Sequence, residues 1–353
     1  MRGARTYLPL VAVMLLWGSA FAGSKITTAV VPHSVAAFLR FGGGALMLWL
    51  VLRWRGAPGP RVAGRDRLAI TLLGALGVFC YNLALFWGLT LAPSIDGSVI
   101  VPVLSPVVTT VVVAVAARTG LSGRRVVGLA AAVAGAVVFL AGSASAANGA
   151  RLGGDLLFVA AAVCWSAYTV LGRRVLARIP ALRTTTYATV AGAVLLGVVA
   201  APAMPAVHWG SLGAGFWLNI GYLAVFPTAV AYVLYYQGVA RVGPARAALM
   251  MFVVPVAGAS CGYLFLGEAM NLPQAAGSAG MVVGAWLAVT GSRPATGSQD
   301  DSGHRAGGSS AAQPDLAGAV GEEQHPGQLP PGELGVDGQL CGRGTAGNPG
   351  RQP

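Results

Sequence analysis

ARAALMMFVVPVAGASCGYLFLGE, residues 245–268, carries no charge between Arg246 and Glu268 and holds one proline, Pro255, near its middle. About 20 apolar residues span a bilayer, so this stretch reads as one membrane crossing that ends in an acid. Displacing the sequence by 149 residues lays Pro255 over Pro106, Gly277 over Gly128 and Gly284 over Gly135. The chain therefore contains a diverged copy of the element. Thr119 falls where Glu268 would repeat, so the acid is present in one copy only.

Working outward, the rest of the chain is equally apolar. With 55% hydrophobic and 10% charged residues in 353, the composition excludes an ordinary soluble domain. Charge-free runs cover 68–95, 97–117, 126–150, 156–172, 184–240, 247–267 and 269–292. The run 184–240 is too long for one crossing and is expected to fold back where Pro202, Pro205, His208 and Gly210 interrupt it. This gives ten expected helices. Basic residues then fall in every second connection (Arg53–Arg67, Arg118–Arg125, Arg173–Arg183, Arg241–Arg246), with Arg151 and Lys25 as exceptions. That alternation predicts both termini in the cytoplasm, and it accounts for the net charge of +12 without a nucleic-acid partner. Cys80, Cys164, Cys261 and Cys341 share no metal-ligand spacing, so neither a metal nor a cofactor is expected.

In chain order, the first helix carries Trp17–Phe21 (WGSAF) and ends near Lys25, which either snorkels to the interface or meets substrate. Arg40 lies inside the second helix, where it needs a structural partner or a solute. Tyr81 and Asn82 in the third helix are suited to a polar-aromatic cavity, and Trp87 fits an interface anchor as well. Asp96 opens the fourth helix, where it either caps the dipole or takes part in proton coupling. Pro102 and Pro106 follow and should kink that helix. A linker is expected at 142–154, between a first repeat at 6–141 and a second at 155–291. Trp165–Tyr168 (WSAY) mirrors WGSAF; Pro227, Tyr232 and Tyr236 belong to the densest polar-aromatic stretch, 219–238. The segment 292–353 is rich in Gly, Pro, Ser and acids and is expected to be a disordered cytoplasmic tail.

Five helices per half put the second copy into the membrane upside down, a common transporter construction with its substrate site at the repeat interface. WGSAF, the Arg40-Phe41 pair, the stretch 226–259, and LFLGE (264–268) with Gly277 and Gly284 together resemble the EamA-type members of the drug/metabolite transporter superfamily, over about residues 7–291. The resemblance implies an all-α inner-membrane exporter of small metabolites such as amino acids or amphipathic drugs. By analogy it makes Trp17, Tyr81, Asn82, Trp165, Tyr168, Tyr232 and Tyr236 candidate cavity residues. Pro102, Pro106, Pro227 and Pro255 become candidate kinks or gates; Lys25, Arg40, Asp96 and Glu268 are the charged candidates for coupling or gating. Arg118-Thr119 replaces the glycine-glutamate pair in the first half, a departure from two symmetric acids. No GxxxxGK[ST] loop is present, which argues for secondary rather than ATP-driven transport by a monomer or homodimer. A membrane-embedded lipid or isoprenoid enzyme would need convergent acids or histidines, and His33 and His208 lie in outer connections. A nontransporting sensor is the other alternative.

Overall fold

The computed structural model describes residues 2–56, 63–118, 120–145, 149–235 and 250–290. The fold is helical throughout these residues, with α1 at Arg2–Thr28, α2 at His33–Arg55, α3 at Gly64–Leu91, α4 at Ser94–Ala117 and α5 at Gly123–Ser145. The second half follows with α6 at Gly149–Leu176, α7 at Ala181–Ala200, α8 at Ala214–Tyr235, α9 at Val253–Leu266 and α10 at Leu272–Thr290. Nine of the described helices are long and apolar enough to cross a membrane, and α9 is the shorter one. Only the C-terminal part of the 245–268 stretch is described as helix. Tyr236, Thr119, Cys341 and the tail at 292–353 lie outside the described residues.

One boundary differs from expectation. The 142–154 linker is mostly helix, because α5 continues to Ser145 and α6 starts at Gly149, before Asp155. The glycines there do not stop a helix, since an apolar setting forces backbone groups to pair within the helix, and two of them, Gly142 and Gly154, sit where close neighbours leave no room for a side chain. Gly142, for example, lies against Asn271, Pro273 and Gln274.

Helix pairings come in sets related by exchanging the halves. α1 packs along α9 as α6 packs along α4; α2 meets α8 as α7 meets α3; α1 meets α8 as α6 meets α3. Three further pairs, α2 with α7, α4 with α9 and α5 with α10, map onto themselves. The α5–α10 seam shows why. A Cβ on Gly128 would strike the Gly284 backbone, and one on Gly135 would strike that of Gly277. Gly128 corresponds to Gly277 and Gly135 to Gly284, so each glycine meets its partner's counterpart, the pattern of a two-fold contact. Small residues here let backbones approach where lipid offers no hydrophobic drive for helix association. The outward faces are apolar, with Val115, Leu218, Leu264 and Phe265 all well exposed.

Two helices are locally unwound at matching places. Ala75–Cys80 in α3 and Val225–Val230 in α8 are π-helical, which widens the turn and frees carbonyls from their usual partners. In α8 the cause is visible. Pro227 has no N–H to give Leu223 O, and the Thr228 hydroxyl donates to that carbonyl at 2.9 Å. Both π segments face inward and border the cavity described next.

Candidate functional site

Between the halves lies a cavity of about 710 Å³, counting its open mouth. Its wall draws on α1, α2, α3, α4, α6 and α8 and on the start of α9. Trp17, Tyr81, Asn82, Trp165 and Tyr232 all border it, together with Pro102 and Pro227. The aromatic rings hold one another in place. Trp17 packs against Tyr232 and Tyr235 with centroids 6.1 and 5.2 Å away, and Trp165 packs against Tyr81 and Tyr168 at 5.2 and 5.3 Å. The Trp17 indole donates to Pro227 O at 3.1 Å, which joins α1 to the unwound turn of α8.

Two polar groups present unfilled bonding capacity here. Asn82 is fully buried; its amide donates to Val78 O at 2.7 Å, while Oδ1 has no partner. Arg40 is 7% exposed and is the only charged side chain among the described lining residues. Its Nη1 donates to Ser24 Oγ at 2.9 Å, its guanidinium lies 4.9 Å from the Phe41 ring centroid, and its Nε has no partner. No acid faces it in the described wall. A buried guanidinium without a counter-charge is an anion site by its chemistry.

The other candidates sit elsewhere. Tyr168 stands behind the wall, its ring filling the space beside Gly77. Pro106 lies within α4 and Pro255 is buried in the first turn of α9, both off the cavity surface. Lys25 donates to Leu89 O and Ala92 O, closing the C-terminal end of α3. Glu268 stands just past α9, where Gly267 (φ +65°) makes the left-handed stop. Its carboxylate accepts from Ser94 N at 2.8 Å, Ser94 Oγ at 2.7 Å and Ile95 N at 3.0 Å, so it caps α4 in the opposite half. In the first half Arg118 (φ 51°) takes the left-handed position that Gly267 holds in the second.

Asp96, the next residue in the same first turn of α4, is gripped by Arg151 through Nε–Oδ2 at 2.8 Å and Nη2–Oδ1 at 2.9 Å. Arg151 Nη2 also donates to Gln274 Oε1 at 3.0 Å, and Gln274 Nε2 donates to Ser143 Oγ at 3.0 Å. Both exceptions to the charge alternation, Lys25 and Arg151, are thus consumed in bonds at this end of the bundle. Asp155, which sequence reasoning passed over as a helix start, is fully buried beside this network, with both carboxyl oxygens unpartnered. An acid within a few residues of Arg151 was the available signal.

The EamA-like transporter family matches the chain twice, over residues 4–141 and 152–290. The chain belongs to that family. This EamA-like protein is 28% identical over 258 residues to the uncharacterized transporter YyaM of Bacillus subtilis (strain 168), covering 72% of this chain and 84% of the relative. It is 27% identical over 271 residues to a probable terminal-alkyne amino-acid exporter of Streptantibioticus cattleyicolor, covering 76% and 88%. A chain of known crystal structure aligns with a TM-score of 0.56 at 25% identity, covering 81% of this chain and 97% of that one. The family and its transporter-named relatives mark the protein as a multi-pass membrane transporter rather than an enzyme.

Proposed function

We propose that this EamA-like protein is a secondary, inner-membrane exporter of small amphipathic solutes bearing a carboxylate, amino acids foremost, working by alternating access of its central cavity. The carrying observation is the Arg40 guanidinium, the one charged group among the described lining residues of an aromatic wall built from both halves. A carboxylate would take Arg40 Nε, an amino or amide donor would meet Asn82 Oδ1, and an apolar side chain would lie against Trp17, Tyr81 and Trp165. The exchange-related helix pairings support a layout of two inverted five-helix repeats, and the arginine alternation supports cytoplasmic termini. The cavity is lined within one chain, which fits a monomer or a homodimer of complete units. The amino-acid class is supported by the relative named as a terminal-alkyne amino-acid exporter.

Proteoliposome counterflow tests this. L-propargylglycine, a terminal-alkyne amino acid, and L-phenylalanine are expected to exchange, and their C-terminal amides to exchange poorly. Arg40→Gln should weaken the acids about tenfold and leave the amides nearly unchanged, since one charge-assisted bond is worth about 1.5–3 kcal/mol. Equal transport of acid and amide would rule out the carboxylate role, and no counterflow across the panel would favour a sensor.

A further inference from the structure

The end of the bundle where α3 turns into α4 gathers Asp96 from α4, Arg151 and Asp155 from α6, Lys25 from α1 and Glu268 from beyond α9. These are the charged groups that act on one another there, with Ser143 of α5 and Gln274 of α10 as neutral neighbours. The acids outnumber the cations by one. Glu268 is satisfied by the peptide N–H groups at the start of α4, and Lys25 is committed to carbonyls at the end of α3. That leaves Arg151 to serve both Asp96 and Asp155, and it spends its bonds on Asp96 and Gln274.

Asp155 is therefore a carboxyl of 0% exposure that lies against the Asp96 carboxylate without a donor for either oxygen. Ser143 is the one neighbouring hydroxyl, with a single proton that Phe139 O also takes at 3.3 Å, so it offers Asp155 at most one neutral donor and no counter-charge. Two ionised carboxylates are acceptors only, and like charges placed together in a dry site cannot both persist. A proton on one of them removes the excess charge and provides the missing donor, as Asp155 O–H to Asp96. Arg151 keeps 18% of its side chain exposed, so the buried pair sits one residue from water.

We propose that Asp155 and Asp96 share one bound proton, and that this pair is the proton-coupling site of the transporter. Glu268, on the second half, clamps the first turn of α4 immediately beside Asp96. Parting the halves at this end frees α4, lets water reach Arg151, and allows Asp155 to give its proton to that water and recover one later. Only an O–H bond breaks and forms. The coupling part of this inference rests on the transport reading above; the shared proton rests on the burial of Asp155 and the charge balance at this end of the bundle.

Infrared spectroscopy of the protein in lipid nanodiscs at neutral pH reads the proton directly. The wild type is expected to show the C=O stretch of a protonated carboxyl that shifts in D2O; Asp155→Asn should abolish it and Glu268→Gln should keep it. Asp96→Asn should abolish it too, because Asp155 then ionises against the freed Arg151. Absence of the band in wild type, or its survival in Asp155→Asn, overturns the shared proton. In proteoliposomes an imposed pH gradient should drive L-propargylglycine accumulation by wild type, while Asp155→Asn retains counterflow and loses accumulation. Gradient-driven accumulation in the variant overturns coupling. Loss of wild-type counterflow counts against transport instead, and the infrared band still decides the proton.

Discussion

Glu268 does at the residue scale what its place in the sequence concealed. A glutamate that follows a glycine after an apolar run reads as the end of its own helix, and Gly267 indeed stops α9. The carboxylate, however, serves the N-terminus of α4, a partner 174 residues away in sequence. Glu268→Ala should lower the thermal midpoint in detergent by the equivalent of about 2 kcal/mol, because it strands two backbone donors and a hydroxyl. Glu268→Gln, which keeps an acceptor, should recover part of the loss. The Thr228 hydroxyl is a second local test. Thr228→Val leaves Leu223 O without its 2.9 Å donor and should cost about 1 kcal/mol, whereas Thr228→Ser should be near neutral, both read by the same melt. Asp96 and Glu268 were legible as acids suited to capping or structural pairing, and their partners were not. Which of two acids meets an arginine and which meets a helix end depends on tertiary approach, which spacing along one chain does not encode.

At the scale of elements, the apolar runs located the nine described helices long enough to cross a membrane and the shorter α9, since hydrophobic length answers directly to the bilayer. The helix ends were less legible. The glycines at 142, 149, 153 and 154 suggested a linker, yet α5 reaches Ser145 and α6 starts at Gly149. The π segments of α3 and α8 had no sequence mark in one case and an ambiguous one in the other: Pro227 signals a break, while Ala75–Cys80 contains no proline at all. The glycine seam gives a sharp test at this scale. Gly135→Ala sets a Cβ against Met281 N and Gly277 O, backbone atoms that cannot swing aside, and should destabilise by about 1–3 kcal/mol. Gly221→Ala, in α8 with open space around it, should be neutral or slightly stabilising. Similar losses at both positions would mean that α5 and α10 do not meet as described.

For the whole molecule, the family and the all-helical membrane class were readable, and most cavity residues came from the resemblance: Trp17, Tyr81, Asn82, Trp165 and Tyr232 line the space, while Tyr168 stands behind it. Arg40 as the sole charged residue among the described lining was not readable, because a helix position says nothing about what fails to face it. The orientation is open to a direct check. A green fluorescent protein fused after Thr290 should fluoresce, and alkaline phosphatase fused after Ala29 or Pro93 should be active, if the termini are cytoplasmic; the reverse pattern would invert the topology.

The seam between α5 and α10 also limits how this protein can change over generations. Position 128 is read by 284 and position 135 by 277, each a glycine facing main chain rather than a pliable side chain. A bulkier residue on one side has no compensating deletion available on the other, because glycine is already the smallest choice. Elsewhere the two copies are free to drift apart, as Thr119 and Glu268 have done. Along this line they remain bound to a common inheritance, and comparison of distant descendants should find these four positions held while the surrounding alanines and valines wander.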